Sequence, residues 1–501
     1  MSAMTVAPSR LALPRSARVL GLEFKRNAVP YVLPLLAAVF YFNTIRTADG
    51  YPPVWTVRAS VVPNDMVFEF GAFAAGLAAW AGSREGRRKT ADLVATTSRT
   101  AWARQSVALA GTLCWLLLAF LAGVAVLYIQ TALQATSGGP PLWPVFVGAA
   151  GVIVVGVIGF TCGVFFPGRF TAPLVAIAVL VLYQTGLRQA LGVTASSGTY
   201  ALLSPANGPP VVDTGVYYHV APDLSIVQVM FMGGIAVALF GVLGLAPALR
   251  GLAPTRAVLA RSGGWPLRTV AVVLVACGVA ASWTAFALAG TAKPDAVGGW
   301  EIPALHSAAS DRTVPVTRDC TSSSGFQVCV HPAFSFYLHD LAAAFEPVAA
   351  EIAGLPGAPA GAREVASVSG GQDVQSGTSV SPPVFEFTAE HVGAMFGQFN
   401  GIPDPAGWAS GFQQGLLDAF LTGRPPHAGP VPILLGPAQQ AVEDALLTAV
   451  RSQPLGPSAT SAGVSAAAHR FAALSASARH AWLVAHLTGL RAGAITLAQI
   501  P

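Results

Sequence analysis

Cysteine, histidine and buried acid are scarce in this chain, so each can be weighed for the chemistry it offers. Cys320 and Cys329 share one polar segment, Asp319 to Val330, and lie close enough in sequence to close a small loop. A disulfide is expected there, and it requires an oxidising compartment. Cys114, Cys162 and Cys277 instead stand singly inside apolar runs, where a thiol packs as a small hydrophobe. His331, His339 and Asp340, or His480 and His486, have metal-ligand chemistry, but their spacings are not the i, i+4 of a helical site. Surface and packing roles are expected for them. Gly82, Gly86, Lys89 and Thr90 mimic the composition of a phosphate-binding loop, yet two arginines separate Gly86 from Lys89 and no buried strand precedes them. No zinc-protease, nucleophile-elbow or Cys-x-x-Cys pattern occurs, so no catalytic residue, metal or cofactor is assigned to this chain. Glu69 differs in kind. It stands among Phe68, Phe70 and Phe73, where an ionisable group at mid-bilayer costs about 2.5 to 3.5 kcal/mol. That makes it an intramembrane polar candidate, although Asn64 and Asp65 are near enough for its carboxylate to snorkel to an interface.

The elements that position these residues follow from composition. Of 501 residues only 10% are charged and 53% are hydrophobic, with a mean hydropathy of +0.59. A soluble protein carries about 25% charged residues. The apolar excess is concentrated before Gly290, which separates a lipid-facing region from a water-soluble one. The net charge of +5 comes from arginines clustered between apolar runs, a pattern that sets topology and does not indicate nucleic acid. Lysine is confined to Lys25, Lys89 and Lys293 beside abundant Arg, Ala, Gly and Pro, a bias of GC-rich bacterial genomes.

About seven membrane-crossing helices are expected, at residues 28–45, 63–81, 107–131, 143–166, 171–187, 224–245 and 269–289, each near the ~17 to 25 residues that span a bilayer. Basic residues flank alternate ends. Arg10, Arg15, Arg18, Lys25 and Arg26 precede the first run, Arg84 to Arg104 lie between the second and third, Arg169 follows the fourth, and Arg250 to Arg268 follow the sixth. The positive-inside rule places these sets and the N-terminus in the cytoplasm, and residues 290–501 outside the cell membrane. Residues 1–27 carry Leu13, Ala17, Leu20 and Phe24 on one helical face and cations on the other, as in an interfacial amphipathic helix.

The extracytoplasmic region is expected to be mostly helical. Leu338, Leu341, Phe345, Val348 and Ile352 repeat at helical spacing, with a kink or restart predicted at Pro347. Further helices are predicted over 388–399, 408–421, 437–451 and 464–490, and short strands or an ordered loop over 365–387.

The segment Gly82 to Ser106 is too elaborate for a turn. Charged Arg84, Glu85, Arg87, Arg88 and Lys89 precede the apolar Leu93 and Val94, then Thr96, Thr97, Ser98 and Arg99. An amphipathic helix at a membrane surface can dock in a groove of a cytoplasmic partner. Glu85-Gly86, Thr90, Leu93, the Thr-Thr-Ser-Arg ending at Arg99, and Arg104 resemble the cytoplasmic loop of ABC-2-type transporter permeases. That loop typically runs acidic residue, Gly-Thr, a Leu-rich turn, Pro, Ser-Arg; here Gly86 is not followed by Thr, and Thr96 or Thr97 stands in place of Pro. The resemblance covers roughly the first 250 residues. Residues 328–334 and 481–493 are similar to outer regions of actinobacterial ABC-type membrane proteins. The resemblance implies a permease subunit, paired as a homodimer or heterodimer in the bilayer. It further implies a separate ATPase, binding ATP and magnesium, docked on the loop from Arg84 to Arg99. The alternative is a membrane-anchored accessory protein whose outer region binds a ligand or partner.

Overall fold

The computed structural model describes residues 21–25, 27–46, 51–63, 67–88, 100–190, 199–204, 216–249, 265–294, 300–366, 383–388, 405–423, 435–451 and 461–501. It is mainly α. The helices before residue 290 are α1 (Val29–Phe40, extended by a π-helical turn Tyr41–Ile45), α2 (Trp55–Val61), α3 (Val67–Gly82), α4 (Arg84–Arg87), α5 (Ala101–Gln134), α6 (Trp143–Phe165), α7 (Thr171–Ala190), α8 (Thr199–Leu203), α9 (Asp223–Leu249) and α10 (Trp265–Ala289). Each of the apolar runs is mostly helical over its described residues. Among the described residues, four stretches are long and apolar enough to cross a membrane: Ala101–Gln134, Trp143–Phe165, Asp223–Ala246 and Leu267–Ala289. Val29–Phe40, Phe70–Gly82 and Thr171–Thr185 are shorter apolar helices.

Their ends follow local chemistry. Thr100 caps α5 by accepting from Ala103 N at 3.2 Å. Asn27 Oδ1 accepts from Val29 N at the start of α1, while Asn27 Nδ2 donates to Thr112 Oγ1 at 3.1 Å and ties α1 to α5. The bundle packs through small residues. A Cβ on Gly159 or Gly163 of α6 would lie 2.1 Å from the carbonyl oxygens of Ala75 and Ala79 on α3, so the two backbones touch. Gly234 and Gly278 bring α9 and α10 together in the same way, with a Cβ on Gly278 only 2.4 Å from Ala238 N. Many large side chains point the other way. Leu118, Ile129, Val272 and Trp283 are exposed on the outside of the bundle, the arrangement that suits a lipid surround.

After α10 come a two-stranded hairpin, β1 (Lys293–Pro294) and β2 (Trp300–Glu301), then β3 (Asp319–Ser323), β4 (Phe326–Val330), a 3-10 segment (Pro332–Tyr337), α11 (Leu338–Ile352), β5 (Gly361–Val365), β6 (Val384–Thr388), α12 (Pro405–Thr422), α13 (Pro437–Arg451), α14 (Ala462–Ala472) and α15 (Ala476–Arg491). The strands β3-β4-β5-β6 form one mixed sheet, antiparallel between β3 and β4 and parallel onward. The β3–β4 turn uses Ser324 (φ 51°) and Gly325 (φ 84°), the left-handed pair a tight hairpin needs. Phe345 of α11 lies at the centre of the core, 5.7 Å from Phe385, 5.8 Å from Phe412 and 5.9 Å from Phe326 between ring centroids.

This core is not closed by the C-terminal region alone. Val54, Val57, Val216 and Tyr217, from two segments that join bundle helices, are buried in it. Val314 N donates to Tyr217 O at 2.8 Å, Tyr218 bridges Thr313, and Thr136 Oγ1 donates to Pro332 O at 2.7 Å. Three interhelix connections therefore meet the C-terminal region at one end of the bundle.

Several expectations need correction. Pro347 does not restart α11, which runs as one helix from Leu338 to Ile352; nearby, Gln413 Nε2 donates to Ala344 O at 2.9 Å. The helix expected over 464–490 is two, because Ser475 caps a new helix by accepting from Ala478 N at 3.3 Å. Thr388 ends a strand, not a helix, and 389–399 lies outside the described residues. The polar segment 319–330 is a β-hairpin, and β5 begins four residues before the strand region expected from Val365.

Candidate functional site at the arginine-bearing end

The end of the bundle opposite the C-terminal region gathers charge. Ser83, buried, closes α3 by donating its hydroxyl to Trp80 O at 3.0 Å, and α4 follows at once. Arg84 reaches back to the helical residues 21–25 with a bidentate pair, Nη1 to Glu23 Oε2 at 3.0 Å and Nη2 to Glu23 Oε1 at 2.9 Å. That bond raises the Arg84 guanidinium above its usual range, against the opposing effect of burial. Glu85 meets Arg104 of α5 at 3.5 Å. A Cβ on Gly86 would stand 2.4 Å from Pro167 Cβ, so only glycine lets α4 lie against the turn that links α6 to α7. Arg87 stacks 3.3 Å above the Trp80 ring and donates to Trp80 O at 2.9 Å, while Arg88 is exposed. Trp115 Nε1 donates to Phe24 O at 2.7 Å, fixing the N-terminal segment to α5.

These contacts join Arg84, Glu85, Gly86 and Arg87 to the N-terminal segment, α3, α5 and the α6–α7 turn. The remaining residues of the expected loop, Lys89, Leu93 and Arg99, lie outside the described residues. So does the side chain of Glu69, whose backbone belongs to α3.

In the C-terminal region Cys320 and Cys329 face each other across β3 and β4 and are joined in a disulfide. The histidines are dispersed. His331 is buried and caps the 3-10 segment, its Nδ1 accepting from Ala333 N at 3.0 Å; His339 and Asp340 are exposed; His486 bonds Trp482 O within its own helix. Among the described residues no group of three or more His, Cys, Asp or Glu side chains could hold a metal ion.

Two clusters escaped the sequence reading. Asp418 of α12 and Glu443 of α13 are close enough to perturb each other, and burial pushes the Asp418 carboxyl up to about 6. Burial pushes the Glu443 carboxyl up, reinforced by Asp418 and Asp444. The available signal was that Glu443 falls four residues from Gln439 and four from Leu447, on the buried stripe of its helix. The second cluster sits at the junction: Asp223, buried at the start of α9, accepts from Ile302 N at 3.2 Å and lies 3.0 Å from His306 Nδ1, while His306 Nε2 lies 3.0 Å from Asp311 Oδ1. No spacing rule joins residues so distant in sequence. The chain matches no known family model, no curated protein and no solved structure.

Proposed function

We propose that this chain is the membrane-spanning permease subunit of an ABC-type exporter, driven by a separate ATPase that docks at the arginine-bearing end. The observation that carries the reading is the bracing of α4. A load on this short helix passes to α3 through Ser83, to α5 through Glu85–Arg104, to the α6–α7 turn through Pro167, and to the N-terminal segment through Arg84–Glu23. A partner that closes on ATP would move several helices at once from this point.

In this reading all seven apolar helices cross the bilayer. α1, α3 and α7 have the shorter apolar stretches and complete their crossing with flanking residues. The N-terminus and the arginine-bearing end are cytoplasmic, in keeping with Arg84, Arg87, Arg88, Arg104 and Arg169. The C-terminal region lies outside, where the Cys320–Cys329 disulfide is stable. ATP and magnesium belong to the partner, and two permease subunits would enclose the path.

Replacing Arg87, Arg88 and Lys89 together by Glu tests the docking. The variant should keep its size-exclusion profile and lose co-purification of the ATPase. Unchanged recovery of the ATPase would refute docking at this loop.

A further inference from the structure

The Asp223–His306–Asp311 cluster stands at the joint between α9 and the segment that leaves α10 for the C-terminal region. His306 is held from both sides, with each ring nitrogen 3.0 Å from a carboxylate oxygen. A neutral imidazole has a single N–H and would turn a lone pair toward one of those oxygens. Only the imidazolium donates to both. Asp223 is 1% exposed, and a carboxylate so placed needs a counter-charge beyond the one backbone N–H from Ile302.

We propose that His306 is a proton-operated clasp: charged, it pins the segment 300–311 to the mouth of the bundle at Asp223, and on losing its proton it releases that segment. The charged groups acting on the ring are Asp223 from α9 and Asp311 from its own loop. Beside the clasp lies an apolar cluster made of Leu203 of α8, Val227 of α9, Ala289 of α10, and Ile302 and Leu305 of the pinned segment itself. Lys293 and Glu301 oppose each other in the β1–β2 hairpin, and Arg312 is exposed. Burial lowers the affinity of His306 for its proton, but the bonds to Asp223 and Asp311 outweigh it, and the ring is held above its ordinary 6.5. The sign follows. A proton bound more tightly in the closed state stabilises that state fully below the free-imidazole value, and the stabilisation is lost as pH rises through the raised value. This device does not depend on whether the chain transports anything.

Hydrogen exchange on the full chain in detergent, followed by mass spectrometry from pH 6 to 10, reads the clasp through the amides of Ile302, Leu305 and His306. After correction for the intrinsic pH dependence of exchange, their opening should increase by up to about tenfold per pH unit above 6.5, until the raised value is passed. His306→Gln should make opening independent of pH. Asp311→Asn, at an exposed position, should move the transition to lower pH while leaving the protein folded. Protection that is flat with pH in the unaltered chain, or a transition that persists unchanged in both variants, would overturn the proposal.

Discussion

The bundle and the C-terminal region present different surfaces. In the bundle, backbones meet at small residues and many large side chains face outward, around an inner core that holds Phe70, Phe120 and Phe160: Gly159 and Gly163 touch the α3 backbone, while Leu118 and Trp283 are exposed. In the C-terminal region the large side chains are inside. Tyr337, Phe334, Phe345 and Phe471 are fully buried, and charged pairs such as Arg479 with Glu351 line the core's edge. The contrast is the one that lipid around the bundle and water around the C-terminal region would produce. Lipid gives no hydrophobic advantage to hiding a leucine, so helices associate where backbones approach closely. Water does give it, at about 25 cal/mol for each Å² of apolar area buried.

The largest expected effect breaks the water-side rule. Phe345→Ala should destabilise the C-terminal core by about 3–5 kcal/mol, read as loss of protection in α11, β4 and β6. Because Val54, Val57, Val216 and Tyr217 share that core, exchange in 54–57 and 216–218 should accelerate too. Unaltered exchange there would mean that the two regions are independent. Next comes the lipid-side rule. Gly163→Ala puts a methyl group 2.1 Å from Ala79 O and should cost about 1–3 kcal/mol, seen as a lower melting temperature in detergent. The same change at Gly411, inside α12 with nothing within 4 Å of the added atom, should instead stabilise by about 0.5–1 kcal/mol. Equal effects at the two glycines would erase the distinction.

A further effect concerns pH. Since the Glu443 carboxyl is raised in the folded state, the stability tied to its proton is present below the unfolded value of about 4.3 and is lost as pH climbs through the folded value. Thermal melts should therefore fall as pH rises from about 4.3 to about 8, and Glu443→Gln should flatten the slope. A steeper slope in the variant would place the proton elsewhere.

Much of this organisation is legible in the sequence because it is periodic. The apolar runs are long, and the buried stripe Leu338, Leu341, Phe345, Val348, Ile352 falls on α11 as spaced. Local capping is legible in principle, but Ser475 stands inside a strong helical pattern that masks the break between α14 and α15. The hairpin at 319–330 alternates polar with apolar only on β4, so β3, with Cys320, Thr321 and Ser322, has no strand signature of its own. Contacts between distant segments leave no local trace. Nothing in the sequence places Tyr217 against His331, at 4.9 Å between rings, or Glu23 under Arg84. The candidate loop shows the same division: its charge was plain in the sequence, but its bracing through Gly86 and Pro167 was not.

The central claim is that the arginine-bearing end serves an ATP-driven partner. Affinity purification of the full chain from its native membrane in mild detergent, with identification of the retained subunits and assay of ATP hydrolysis, tests it most directly. The account predicts a bound subunit that carries a phosphate-binding loop and hydrolyses ATP. A chain recovered intact and folded with no ATPase at all would contradict it.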